Sequence, residues 1–139
     1  MTNKIHKLWL KITAVSIILY SILFFLGTIQ EMNEAVQLVL DISSWPIDKA
    51  QNYNENSTVF LSALLGGVLF GWGILIWFLS SKIYDIVPEK TRKIVLFSLL
   101  SWFIIDSLGS LFSGNSNNLI ANIFLLIVLV GPLWVPTKK

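Results

Sequence analysis

A single carboxylate, Asp106, stands inside the otherwise apolar run of residues 94–114. Placing a charged side chain at the centre of a membrane helix costs about 2.5–3.5 kcal/mol on insertion scales, so its surroundings decide what it does. At 1.5 Å per residue from Ile94 it lies about 18 Å along a helix, just past the middle. Ser98, Gly109, Ser110 and Ser113 fall on roughly its face of that helix. Asn122 lies at similar depth in the next apolar run, and Ser62 is available from an earlier one. Asp106, Asn122, Ser110, Ser113 and Ser62 therefore make up the candidate polar site. No Lys, Arg or His occurs at that depth in any apolar run. Three roles are open. The carboxyl, protonated by desolvation, donates a hydrogen bond that locks helix register. Alternatively it lines a cavity and contacts a ligand or cation, or it cycles protons for a carrier. The last role ordinarily requires a charged substrate partner or a second titrating group, and the sequence offers neither.

Other chemistry is excluded by composition. The chain has no cysteine, so thiol nucleophiles, thiolate metal sites and disulfides are absent. Its one histidine, His6, precedes the first apolar run, which rules out a haem held by two histidines of one chain and a histidine-based zinc site. Paired intramembrane carboxylates, metal-ligand clusters and phosphate-cradling loops are missing, so no enzyme, metal or cofactor is expected. The net charge of +2 is explained by charge placement along the chain and not by nucleic-acid binding.

The elements that would position Asp106 follow from hydropathy. The chain is 55% hydrophobic and 13% charged, about half the charge of an ordinary soluble domain. A spanning helix needs about 20 mostly apolar residues. Four segments qualify, at about 9–29, 59–80, 94–114 and 119–135, and they are continuously apolar, which predicts helices and not a barrel. The expected fold is an all-α integral membrane protein, a single domain built as a four-transmembrane-helix bundle. Bulky Phe25 near Gly27 disfavours cleavage of the first span as a signal. Basic residues mark cytoplasmic loops. Lys4, Lys7 and Lys11, then Lys82, Lys90, Arg92 and Lys93, then Lys138 and Lys139 all fall on one side; Lys49 alone falls on the other. The predicted topology is N-in, C-in, in a bacterial inner membrane.

The outer loop, 30–57, carries Ile29, Met32, Val36, Val39 and Leu40 at helical spacing, which predicts a short amphipathic helix over 31–41 on the membrane surface or over the bundle. Ser44-Trp45-Pro46 reads as the start of a second helix, capped by Ser44 and ending before Asn52. Gly114-Asn115-Ser116-Asn117-Asn118 is a tight turn that makes the last two spans a hairpin, and Pro132 reads as a helix-end device. In the second span Ala63, Gly67 and Gly71 recur every four residues as helix-packing positions, used within the chain, in a homodimer or around a lipid tail.

This layout resembles the small DoxX-like four-helix bacterial membrane proteins. The shared pattern is a long outer loop after the first span, the Gly-rich run 66–73, and a third span ending in small residues before a Gly/Asn turn. It departs where such proteins often place an arginine, since Phe60 and Leu61 stand there. The resemblance implies an inner-membrane accessory role with no catalytic residue to carry over. The expected function is an accessory or interaction protein, with membrane lipids and another membrane protein or a second copy as partners. The alternative is a small transporter or a ligand- or lipid-binding membrane protein that uses Asp106.

Overall fold

The computed structural model describes residues 3–48 and 53–137. It is helical throughout: α1 (Asn3–Gly27), α2 (Glu34–Ser44), α3 (Asn56–Phe78), α4 (Pro88–Phe112) and α5 (Ser116–Val130). A 3-10 turn (Gln30–Met32) precedes α2, a π turn (Leu79–Ile83) extends α3, and a 3-10 turn (Gly131–Trp134) follows α5. Four of these helices, α1, α3 with its π turn, α4, and α5 with its 3-10 turn, are long and apolar enough to cross a membrane. One end of the bundle, here the basal end, gathers Asn3, the α3–α4 connection and Trp134. The other, the turn end, gathers α2 and the α4–α5 turn.

The tightest pair is α1 with α3. On α3 the buried residues are Ser62, Gly66, Leu69, Gly73 and Ile76, followed by Ser80, steps of four and three that keep one seam facing the partner. On α1 the facing positions include Ala14, Ile18, Ser21 and Phe25. Gly66 sits on the backbone of Ser21 and Phe25, and Gly73 on that of Ala14 and Ile18, so the two helices run antiparallel. A methyl group on Gly73 would stand 2.6 Å from Ile18 Cγ1 and 3.1 Å from the Ala14 carbonyl. These two glycines make the close approach. Ala63, Gly67 and Gly71, the positions expected to pack, are exposed instead, and nothing lies within 4 Å of a Cβ built on either glycine. The reason is phase: the seam runs through 62, 66, 69 and 73, one residue off the GxxxG pair.

α4 and α5 form the expected hairpin, and its turn is specified locally. Gly114 adopts φ +81°, the Gly114 N–H donates to Leu111 O, and the Asn115 N–H donates to Ser110 O at 2.9 Å. That pair of bonds is a Schellman end, which glycine permits at no steric cost. α4 begins earlier than expected because Pro88 fits the first helical position and lets the charged turn before Ile94 join the helix.

The loop after α1 departs from expectation in its second half. α2 starts at Glu34 and runs on to Ser44, so Ser44 ends a helix and does not cap a new one. Proline disfavours a helical residue before it. Trp45 leaves the helix with φ +35°, and its peptide to Pro46 is cis. The remainder of the expected second helix, 49–51, lies outside the described residues. α2 buries Val36 and Asp41 and lies against α1 and α5.

Candidate functional site

The hairpin register brings the polar residues of α4 and α5 together. Antiparallel helices that advance four residues per step face each other in pairs. Asn118 Nδ2 donates to Ser110 Oγ at 2.7 Å, and Asn122 Nδ2 donates to Asp106 Oδ2 at 2.7 Å and more weakly to Ser107 Oγ at 3.3 Å. The Ser110 hydroxyl in turn donates to the Asp106 carbonyl. Asn122 is buried and Asp106 half-buried. Of the sequence-predicted set, Asp106, Asn122 and Ser110 thus meet. Ser113 is exposed, bonding to the Ser110 carbonyl and accepting from Asn115. Ser62 is buried in the α1–α3 pair and lines no part of the space that Asp106 faces.

That space is a cavity of about 960 Å³ walled by all five helices. Its wall is graded. Toward the turn end stand Asp106, Ser110, Asn115, Asn117, Asn118 and Asn122. Toward the middle of the bundle stand Ile17, Leu69, Trp72, Trp102, Leu125 and Leu129, with Tyr20 and Phe24 of α1 beside the polar end. The aromatic residues also hold the cavity apart. Trp72 Nε1 donates to Ser98 Oγ at 3.0 Å across α3 and α4, and its ring lies 6.3 Å from that of Trp102. Tyr20 and Phe24 meet edge to face at 5.0 Å. α2 and Trp45 complete the wall, with Ile42 and Trp45 exposed at its rim and Ile120 and Phe124 exposed on α5. Among the described residues no Lys, Arg or His lines it. The second oxygen of Asp106 accepts no bond from any described residue.

Sequence reasoning missed the aromatic half of this cavity. Trp102 lies four residues before Asp106 and Asn118 four before Asn122, so the helical period was the available signal. It also missed a second polar assembly at the basal end. There α5 stops at Val130, because Pro132 has no N–H to give the Val128 carbonyl and Gly131 turns the chain at φ +42°. The carbonyls so released take side-chain donors. Trp9 Nε1 donates to Val128 O and Leu129 O, both at 3.2 Å, and Thr13 Oγ1 donates to Leu129 O at 2.8 Å. His6 Nε2 donates to Pro132 O at 3.1 Å, and Arg92 Nη1 donates to Leu133 O.

Arg92 is buried and forms a two-pronged pair with Glu89, at 2.9 and 2.7 Å, whose carboxylate also accepts from the backbone and hydroxyl of Thr137. Lys7 pairs with Asp85 across the same end, and Lys11 lies over the Trp77 ring at 5.4 Å. Tyr84, buried in the α3–α4 connection, has its phenol pushed up by burial and by nearby Glu89, so it stays neutral. Among the described residues no group of three or more His, Cys, Asp or Glu is placed to hold a metal.

No protein-family model, curated protein or solved structure matches the chain.

Proposed function

We propose that the chain is a four-span accessory protein of the bacterial inner membrane, N-in and C-in, that holds an amphipathic, lipid-like molecule in its interior cavity. The observation that carries this reading is the grading of the cavity wall, from Asp106 and the asparagines at the turn end to Trp72, Trp102 and Leu129 in the middle. An amphipath in a bilayer has the same polarity, polar toward the headgroups and apolar toward the centre. The basic residues set the basal end in the cytoplasm, so the polar end of the cavity meets the outer headgroups and α2 becomes the outer-loop helix. A space of this size suits a drug-sized ligand. The role is binding, without chemistry of its own, in keeping with the accessory role that the DoxX-like layout implies.

The test uses the full chain in lipid nanodiscs and a dodecyl alcohol brominated along its chain. Bromine quenches indole emission on contact, and Trp72 and Trp102 line the cavity. Saturable quenching is expected, and it should disappear when both, together with Trp45 at the rim, are changed to Phe. Ala121→Phe, which fills the wall, should weaken the binding while the protein accumulates normally. Quenching that never saturates, equal to that of a Trp in the bilayer alone, would overturn the reading.

The outward strip of Ala63, Gly67 and Gly71 supports a second reading. Its open surface admits the close approach of another membrane helix, from a partner or a second copy. Gly67→Leu with Gly71→Leu should then abolish co-purification or cross-linking in mild detergent without lowering stability.

A further inference from the structure

We infer that the head of the bound amphipath is a monocation, an alkylammonium held by Asp106. The inference rests on the ligand reading above and adds to it the charge of the ligand. Asp106 lines the cavity and is bonded by Asn122 on one oxygen only, the other having no donor from any described residue. A carboxylate bordering a largely apolar cavity favours a compensating charge, and no described residue of the wall supplies one. The missing charge therefore belongs to the occupant. Aromatic rings near the polar end point the same way: Tyr20, Phe24 and Trp45 line the cavity, and ring faces attract ammonium groups. The asparagine amides and serines offer acceptors for N–H groups but no full positive charge. A zwitterionic phospholipid head would bring a phosphate beside Asp106 with no cation among the described wall residues to neutralise it, so a net monocation fits better.

The experiment displaces the brominated dodecyl alcohol from the full chain in nanodiscs with three probes of equal chain length: dodecyltrimethylammonium, unbrominated dodecanol and dodecylphosphocholine. The ammonium should displace the alcohol at a concentration lower by roughly tenfold or more than dodecanol does. Dodecylphosphocholine should do no better than dodecanol. In Asp106→Asn the ammonium advantage should vanish while dodecanol still displaces the brominated alcohol saturably, which shows that the cavity is still formed. If ammonium and alcohol bind the parent equally, if the phosphocholine matches the ammonium, or if Asp106→Asn retains the preference, the charge assignment is overturned and the amphipath cavity stands. If the brominated alcohol itself shows no saturable quenching, the ligand reading falls with it.

Discussion

The two ends of the bundle put polar groups to opposite uses. At the basal end the carbonyls of the α5 terminus take side-chain donors. Trp9, Thr13 and His6 of α1 and Arg92 of α4 converge on four carbonyls around Gly131-Pro132. At the turn end Asp106 and the asparagines are only partly satisfied by one another and border an open cavity. Where water is scarce, an unsatisfied backbone carbonyl costs several kcal/mol, so the first arrangement stabilises. The second leaves hydrogen-bonding capacity unspent, which suits a ligand. The difference teaches that burial of polar groups marks function here only where a group is left with capacity and a space to use it. Substitutions at the basal end should therefore act on stability, and those at the turn end on binding.

The largest stability effect is expected at Gly131. A Cβ there would overlap the Trp9 indole, and its φ of +42° strains any L side chain. Overpacking and left-handed strain cost about 1–3 kcal/mol each, so Gly131→Ala should lose roughly 3–5 kcal/mol. Thermal unfolding followed by circular dichroism in a neutral detergent reads this directly. A melting temperature equal to the parent's would erase the distinction between the two ends.

Arg92→Met is expected next. It removes the donor to Leu133 O and both prongs of the Glu89 pair from a buried position. Glu89 keeps Thr137 and the distant Lys93. Because this carboxylate is partly exposed, the loss should be about 2 kcal/mol, below that for breaking a fully buried pair. Ligand binding in the nanodisc assay should be unchanged. A selective loss of binding with stability intact would reverse the roles assigned to the two ends.

A paired glycine test sharpens the comparison along α3. Gly73→Ala must push against Ile18 and the Ala14 carbonyl, and about 1–3 kcal/mol of destabilisation is expected. Gly67→Ala meets open space and should be neutral or gain several tenths of a kcal/mol from helix propensity. Equal effects would mean that the seam through Gly66 and Gly73 is misplaced.

Much of the architecture was legible because hydrocarbon thickness dictates helix length, and four long apolar runs, interrupted only by Lys11 and Asp106, meet that requirement. Their helices also begin within a few residues of the expected edges, except where Pro88 and the amphipathic stretch from Lys4 to Lys11 extend α4 and α1 beyond the apolar core. The Asp106–Asn122 bond was legible for a related reason: a turn as short as 113–115 leaves little freedom in which residues of two antiparallel helices face each other. The phase of α3 was not legible. Glycines 66, 67, 71 and 73 cover half the helix, and only the partner chooses which of them is buried. Nor was the role of His6, whose ring N–H answers a carbonyl released 126 residues later by a helix break. Composition placed it outside the first span, yet it is fully buried. The Ser44 cap failed because the local rule for Pro46 as a helix starter competed with the rule for the residue before it, and the second prevailed at Trp45.

The smallest stability change should be that of Asp106→Asn, and it bears most on the comparison. An amide oxygen at Oδ2 still accepts from Asn122, so the α4–α5 register survives and the melting temperature should stay within the equivalent of about 0.5 kcal/mol. A carboxyl that served chiefly to lock the hairpin would give the same small change, so stability alone does not separate the roles. Binding does. The amide has lost the charge and kept the shape, and only an occupant that carries the opposite charge registers the difference. A large loss of stability with Asp106→Asn would instead make the turn end a second structural clasp like the one at the base, and the contrast between the two ends would disappear.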